Sequence, residues 1–192
     1  MNKGRITYFA FMAILLLIAS CSTTKVIPDG SYRLKENILE VTNSDQYPQY
    51  KDSELKNYIR QKPNTYFIGQ WNPFLYIYNW SNGKNNGWDK FVKKLGQAPV
   101  VFDKNMVNAS NDNLETHLKY VGFYNSTITN SIKTKNKKAT VKYNVTLGKQ
   151  YIIDDIKFVI LDPILDSIYM ADTLNCMVKK GMPLSEQILD AE

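Results

Sequence analysis

Histidine is almost absent from this chain: His117 is the only one in 192 residues. Cysteine is scarce too, at Cys21 and Cys176, and arginine occurs three times against 21 lysines. One His and two Cys cannot build a multi-Cys/His zinc site or a disulfide framework. A nucleophile–His–acid triad would have to use His117. The shortage of Arg removes the side chain that makes bidentate contacts to bases, so the net charge of +6 reads as solubility and not as a nucleic-acid face. The 19 Asn read as a compositional bias. No apolar run reaches the roughly 20 residues of a membrane-spanning helix. With 44% hydrophobic and 22% charged residues, the composition is that of a soluble globular chain. These counts point away from an enzyme, a metal site and a cofactor.

The longest apolar run, residues 8–18, follows Lys3 and Arg5 and precedes Ala19, Ser20 and Cys21. A charged start, a short apolar core and small residues make an export signal. Ile18-Ala19-Ser20-Cys21 resembles a bacterial lipobox, which implies cleavage before Cys21 and lipid on its thiol and amine. Three acyl chains exceed the two signals that stable anchoring needs. Ser22-Thr23-Thr24-Lys25 lacks an acidic residue beside the anchor. By analogy with other lipoproteins this implies the outer membrane, facing the periplasm. Cys176, between Asn175 and Met177, then reads as a half-buried small apolar residue and not as a catalytic thiol.

Pro28-Asp29-Gly30 is a turn, and residues 32–41 read as a first strand with Leu39 and Val41 in phase. Asp52 or Ser53 can cap a helix carrying Leu55, Tyr58 and Ile59, which Pro63 ends. Residues 64–100 form an aromatic-rich insertion holding all three tryptophans, Trp71, Trp80 and Trp88, with Tyr76 among their neighbours. Residues 88–95 can form a short helix with Lys90, Lys93 and Lys94 on a basic side. Asp103 can cap a helical stretch through residue 108. Ser110 can cap a second, longer helix whose face is Leu114, His117, Leu118 and Val121, with Gly122 as its stop. Residues 126–133 and 137–147 read as two strands around a turn at 134–136. In the second, Ala139, Val141, Tyr143, Val145 and Leu147 alternate with polar residues. A further strand over 151–160, a connecting segment over 162–182 and a helix capped by Ser185 follow.

The order strand, helix, helix, strand, strand, then strand and helix, resembles the POTRA domain. Residues 118–124, LKYVGFY, look like the end of its second helix. Residues 148–158, GKQYIIDDIKF, look like a junction between two such domains, and Gly181-Met182-Pro183-Leu184 like the start of the next. With the lipobox, the chain resembles the TamL-type lipoproteins of the BamA/TamA outer-membrane assembly factors. The implied architecture is α+β. It comprises a signal peptide at 1–20, a lipidated tether at 21–30, a first POTRA-like domain at 31–149, and an incomplete second at 150–192.

The resemblance also implies a non-catalytic, polypeptide-binding role, in which an exposed sheet edge pairs with unfolded outer-membrane proteins. In the family the second strand is the edge and the third the centre. That places Thr127, Thr129, Ser131 and Lys133 beside a docking edge, with Lys as an anti-aggregation guard the alternative. A proline at Thr129 is expected to remove an edge N–H. Implied partners are the outer-membrane lipid leaflet, unfolded clients and a TamB-like inner-membrane protein. The aromatic insertion reads as extra core, as a contact surface of Trp71, Tyr76, Trp80 and Trp88, or as a membrane-interface element. The rival is a stand-alone lipoprotein binding glycan or protein through that insertion. Asp154-Asp155 and Asp162/Asp166 read as surface charge. Residues 166–168 and 172–174 resemble bacterial O-glycosylation sites.

Overall fold

The computed structural model describes residues 23–48, 50–67, 69, 71–172 and 176–191. Residues 1–20, expected to be an export signal, and Cys21, Thr173 and Leu174 lie outside the described residues. The elements are β1 (Arg33–Thr42), α1 (Pro73–Asn79), α2 (Gly87–Leu95), α3 (Lys104–Tyr120), β2 (Thr127–Lys135), β3 (Lys138–Thr146), α4 (Pro163–Asp172) and α5 (Glu186–Leu189), with 3-10 turns at Ser44–Gln46 and Asp52–Tyr58. The architecture is α+β, as expected, with one three-stranded sheet in the order β1-β3-β2.

The chain divides into two compact units. Of the described residues, one holds 23–37, 62–103 and 132–141; the other holds 38–61, 104–131 and 142–191. In the first, β1 begins beside β3, where Arg33 N–H donates to Lys137 C=O at 2.9 Å. Its core is Ile27, Leu34, Leu75, Val92, Ala139 and Val141. In the second, Thr42 lies beside β3: its hydroxyl bonds Thr146 Oγ1 at 3.0 Å and its C=O accepts from Leu147 N–H at 3.2 Å. In both, residue numbers rise together along β1 and β3, so the pair is parallel. A parallel pair requires a long crossover, and α3 lies in it.

Leu55, Ile59, Val107, Leu114, Leu118, Phe123, Tyr143, Val145 and Leu147 form the core of the second unit. Tyr143 reaches Ser110 on α3; burial raises its phenol pKa and that hydrogen bond partly offsets the rise. All five alternating positions of the central strand, Ala139 to Leu147, are buried.

Several expectations are corrected. The first helix is a 3-10 turn whose N-cap, Lys51, makes no side-chain bond. Backbone groups at its end bond outward to α3: Arg60 N–H to Ser110 Oγ at 3.0 Å, and Tyr58 C=O to Asn113 Nδ2 at 3.3 Å. The two helices expected over 103–121 are one. Ser110 does not cap; its hydroxyl donates back to Met106 C=O at 2.6 Å and leaves the helix continuous. Gly122, at φ 91°, does end α3. Phe123 N–H returns to Leu118 C=O at 2.7 Å and Gly122 N–H to Lys119 C=O at 2.9 Å, a Schellman closure that drives Phe123 into the core.

Residues 151–160 do not form a strand. Ile153 and Leu184 bond across to Met182 and Tyr151, and among the described residues no ladder continues past that point. A strand exists only through its ladder. The connecting segment contains α4, which Asp162 caps by accepting from Ile164 and Leu165 N–H at 2.8 and 3.2 Å. Asp162 is exposed, as expected of surface charge, and also serves as this cap. Ser185 caps α5 as expected, accepting from Ile188 N–H at 3.3 Å.

Candidate functional site

β2 is an edge strand, bonded only to β3 in the sheet, and its composition suits that place. Thr127, Thr129, Ser131 and Lys133 are all exposed, while Ile128 and Ile132 are half-buried on the other face. β2 and β3 each have nine residues and are joined by Asn136 and Lys137, both at positive φ (51° and 54°). Two central residues at positive φ make a type I′ hairpin, with the turn two residues later than its first expected position, Thr134. In that turn Lys135 and Lys138 are hydrogen-bonded to each other.

Antiparallel partners alternate between bonded and non-bonded pairs. Counting back from Lys135, the N–H groups of Lys133, Ser131, Thr129 and Thr127 face β3. Those of Thr134, Ile132, Asn130 and Ile128 face outward. The four residues expected at the docking edge thus place their side chains on the solvent face, while the outward main-chain groups belong to their neighbours. A proline at Thr129 would break the β2–β3 ladder; Asn130 is the position that removes an outward donor.

The sheet has a second edge, but it is partly covered. Leu34 N–H donates to Val100 C=O and Phe102 N–H to Tyr32 C=O, both at 2.8 Å, and Tyr66 Oη donates to Lys35 C=O at 2.5 Å. Among the described residues no strand or isolated bridge lies against the outer edge of β2. Lys133 and Lys135 are exposed on β2.

The insertion is a pair of helices pinned by asparagines. Buried Asn64 closes its base, donating to Ala98 C=O at 2.8 Å and accepting from Val100 N–H at 2.9 Å. Asn72 caps α1 by accepting from Leu75 N–H at 3.1 Å and donates to Thr65 C=O and Gln97 Oε1. Asn79 takes Val26 N–H at 3.2 Å, and Asn86 caps α2 through Asp89 N–H at 2.9 Å. Gly96 lets the segment after α2 touch α1, since a Cβ there would lie 2.5 Å from Tyr78 N. Asn43, Asn85, Asn125 and Asn136 sit at positive φ, where Asn is enriched. The Asn excess therefore does structural work that a compositional reading misses. So does the pair Asn72-Pro73, a helix-start signal.

Asp89, also missed in the sequence, organises the loop between the helices. Its side chain is fully buried and accepts from Ser81 Oγ (3.1 Å), Asn82 N–H (2.7 Å) and Asn85 N–H (3.0 Å), with Lys93 Nζ at 3.8 Å. Burial raises its pKa, but the Asn82, Asn85 and Ser81 bonds and Lys93 outweigh that, and the carboxyl titrates below its usual value. Of the expected contact residues, Trp71, Trp80 and Trp88 are exposed and Tyr76 is half-buried.

Other candidates resolve into structure. His117 is buried against α3's neighbours and stacks on Tyr58, ring centroids 3.8 Å apart. The Cys176 thiol is half-buried and donates to Val178 C=O at 3.1 Å. Asp154 faces Lys180 at 3.4 Å on the surface. Ser167 is exposed on α4, its hydroxyl donating to Ile164 C=O. Among the described residues no cluster of three His, Cys, Asp or Glu could hold a metal ion. A groove of about 570 Å³ is lined by Phe123, Met177, Met182, Pro183 and Ile188, with Lys51 and Glu54 as its charged residues.

A solved structure of Haemophilus influenzae BamA POTRA domains 3–5 resembles the chain at a TM-score of 0.30 and 11% identity, covering 86% of this chain and 85% of that one. No curated protein matches the sequence. Residues 45–148, more than half of the chain, match the family described as POTRA, surface antigen variable number repeat. The match begins within the first 3-10 turn and takes in the second, the insertion, α3, β2 and β3, and the chain belongs to the POTRA family.

Proposed function

We propose that this chain is the periplasmic, polypeptide-binding scaffold of an outer-membrane protein assembly or translocation factor of the TamL type. It docks unfolded clients or partner subunits by β-augmentation on β2. The observation that carries this reading is the outer edge of β2: solvent-exposed side chains along it, and no strand against it among the described residues. Main-chain pairing depends little on client sequence, which suits a receptor for many unfolded barrels. The outward groups of Ile128, Asn130 and Ile132 would make the bonds. Thr127, Thr129, Ser131 and Lys133 would present the face on which client side chains lie.

In this reading Cys21 carries the lipid that holds the chain at the outer-membrane leaflet. Residues 21–30 are the tether, 31–149 the first repeat and 150–192 the start of a second, and a TamB-like protein is the inner-membrane partner. The role is non-catalytic and uses neither cofactor nor nucleic acid.

The test is a photo-crosslinker at Ser131 with an unfolded outer-membrane barrel protein as client. Asn130→Pro should abolish crosslinking while leaving stability nearly unchanged, because proline is tolerated where the N–H faces solvent. Undiminished crosslinking in a folded Asn130→Pro variant would refute docking at this edge.

A further inference from the structure

We propose that the exposed face of α2 docks on the surface of an anionic lipid bilayer, independently of client binding at β2. α2 turns Val92 and Asp89 inward, both buried. Trp88, Phe91 and Leu95 recur at i, i+3 and i+7, which puts them on one side of the helix. They remain 52%, 54% and 50% exposed, although each is large and apolar. The Trp88 and Phe91 rings are neighbours, with centroids 6.0 Å apart.

Beside this stripe the helix carries Lys90, Lys93 and Lys94, all exposed, and Lys84 is exposed in the loop before it. The one acidic residue of α2, Asp89, is held by Ser81, Asn82 and Asn85 and faces Lys93. Lys84, Lys90 and Lys94 enter no ion pair among the described residues. The face is thus apolar along one side, basic along the other and without a free carboxylate.

That combination complements an anionic bilayer surface. Indole and phenyl rings sit at the boundary between headgroups and acyl chains, and lysine stems lie along apolar surface with their amines at the phosphates. Uncompensated cations add attraction to anionic headgroups, each by about a severalfold factor in affinity. A protein partner would need a carboxylate-rich apolar patch; a bilayer offers the same chemistry over any area.

The test uses the full chain carrying Trp71→Phe and Trp80→Phe, so that Trp88 is the sole indole. Vesicles contain equal parts phosphatidylglycerol and bromine-labelled phosphatidylcholine, compared with bromine-labelled phosphatidylcholine alone. Bromine quenches only indoles at the bilayer boundary, so the readout is local to α2 even if another segment of the chain holds the protein on the vesicle. Quenching of Trp88 should be strong with phosphatidylglycerol and weaken with salt. Lys90→Glu with Lys94→Glu should reduce the docking equilibrium about tenfold or more. The charge-matched control, Lys157→Glu with Lys179→Glu, should not. Circular dichroism on each variant confirms folding.

Trp88 that stays accessible to aqueous iodide on vesicle-bound chain would overturn the proposal. So would quenching indifferent to phosphatidylglycerol and to the Lys90/Lys94 reversal. Protection of Trp88 only on adding an unfolded outer-membrane protein would overturn it in favour of a protein-binding surface.

Discussion

Gly148 closes β3 and holds the entry to β2 in place, so replacing it should damage the docking edge from a distance. A Cβ at Gly148 would stand 2.0 Å from Tyr124 O, 2.7 Å from Asn125 C and 2.8 Å from Ser126 N. All three are backbone atoms, so no rotamer change relieves the overlap. Ordinary contact lies near roughly 3.5 Å, and one strand entry must therefore move by more than about 1 Å. The shift strains Gly148 N–H to Ser126 Oγ at 3.0 Å and Tyr47 Oη to Gly148 C=O at 3.4 Å.

Overpacking costs about 1–3 kcal/mol, and a weakened hydrogen bond adds about 1 kcal/mol. Gly148→Ala should therefore lose about 3 kcal/mol, or a Tm fall of roughly 6–12 °C for a chain of this size. Urea unfolding followed by circular dichroism measures it, with an unchanged m-value showing that stability and not compactness changed. A loss below about 0.5 kcal/mol would refute the close-approach argument.

Ser110→Ala should cost about 1–3 kcal/mol in the same assay, because Arg60 N–H and Met106 C=O both lose the fully buried hydroxyl they bond. A neutral outcome would mean that water replaces the hydroxyl. The pH dependence has a definite sign. Burial lowers the His117 pKa below 6.5, and the nearby Glu54 carboxylate only partly opposes it. The folded state thus binds this proton less readily than the unfolded chain, and stability falls as pH drops through 6.5 toward the folded value. His117→Gln should flatten that acid-side slope in urea midpoints measured between neutral and mildly acidic pH; an unchanged slope would assign it to other groups. Asp89→Ala should expose the loop between α1 and α2 to protease while β3 stays protected from hydrogen exchange.

The strands were the most legible part of the chain. Period-2 burial in residues 139–147 is strong because the central strand has one face against the core and ladders on both sides. The edge status of β2 is implied by the family resemblance and agrees with its Thr/Ser/Lys content, but which amides point outward depends on the turn residues Asn136 and Lys137 and needs their φ values. The Schellman closure at Gly122 was also legible, because glycine after an apolar helix face has a specific conformational use.

What failed was local signal overridden by tertiary partners. Ser110 looks like a cap, but in the fold it is one hydroxyl joining Arg60, Met106 and Tyr143. The apolar alternation of residues 151–160 lacks a ladder to enforce it. Asp89 goes unremarked in the sequence, because nothing local reveals that Ser81, Asn82 and Asn85 converge on it.

The central claim is that β2 pairs with extended polypeptide through its outer edge, and residue-resolved amide hydrogen exchange tests it most directly. In the chain alone, Ile128, Asn130, Ile132 and Thr134 amides should exchange fast, while Thr127, Thr129, Ser131 and Lys133 are protected by β3. An unfolded outer-membrane barrel protein should slow the first set and leave the second as it was. Unchanged fast exchange at Ile128, Asn130 and Ile132 with bound client, with new protection confined to the insertion, would contradict the account.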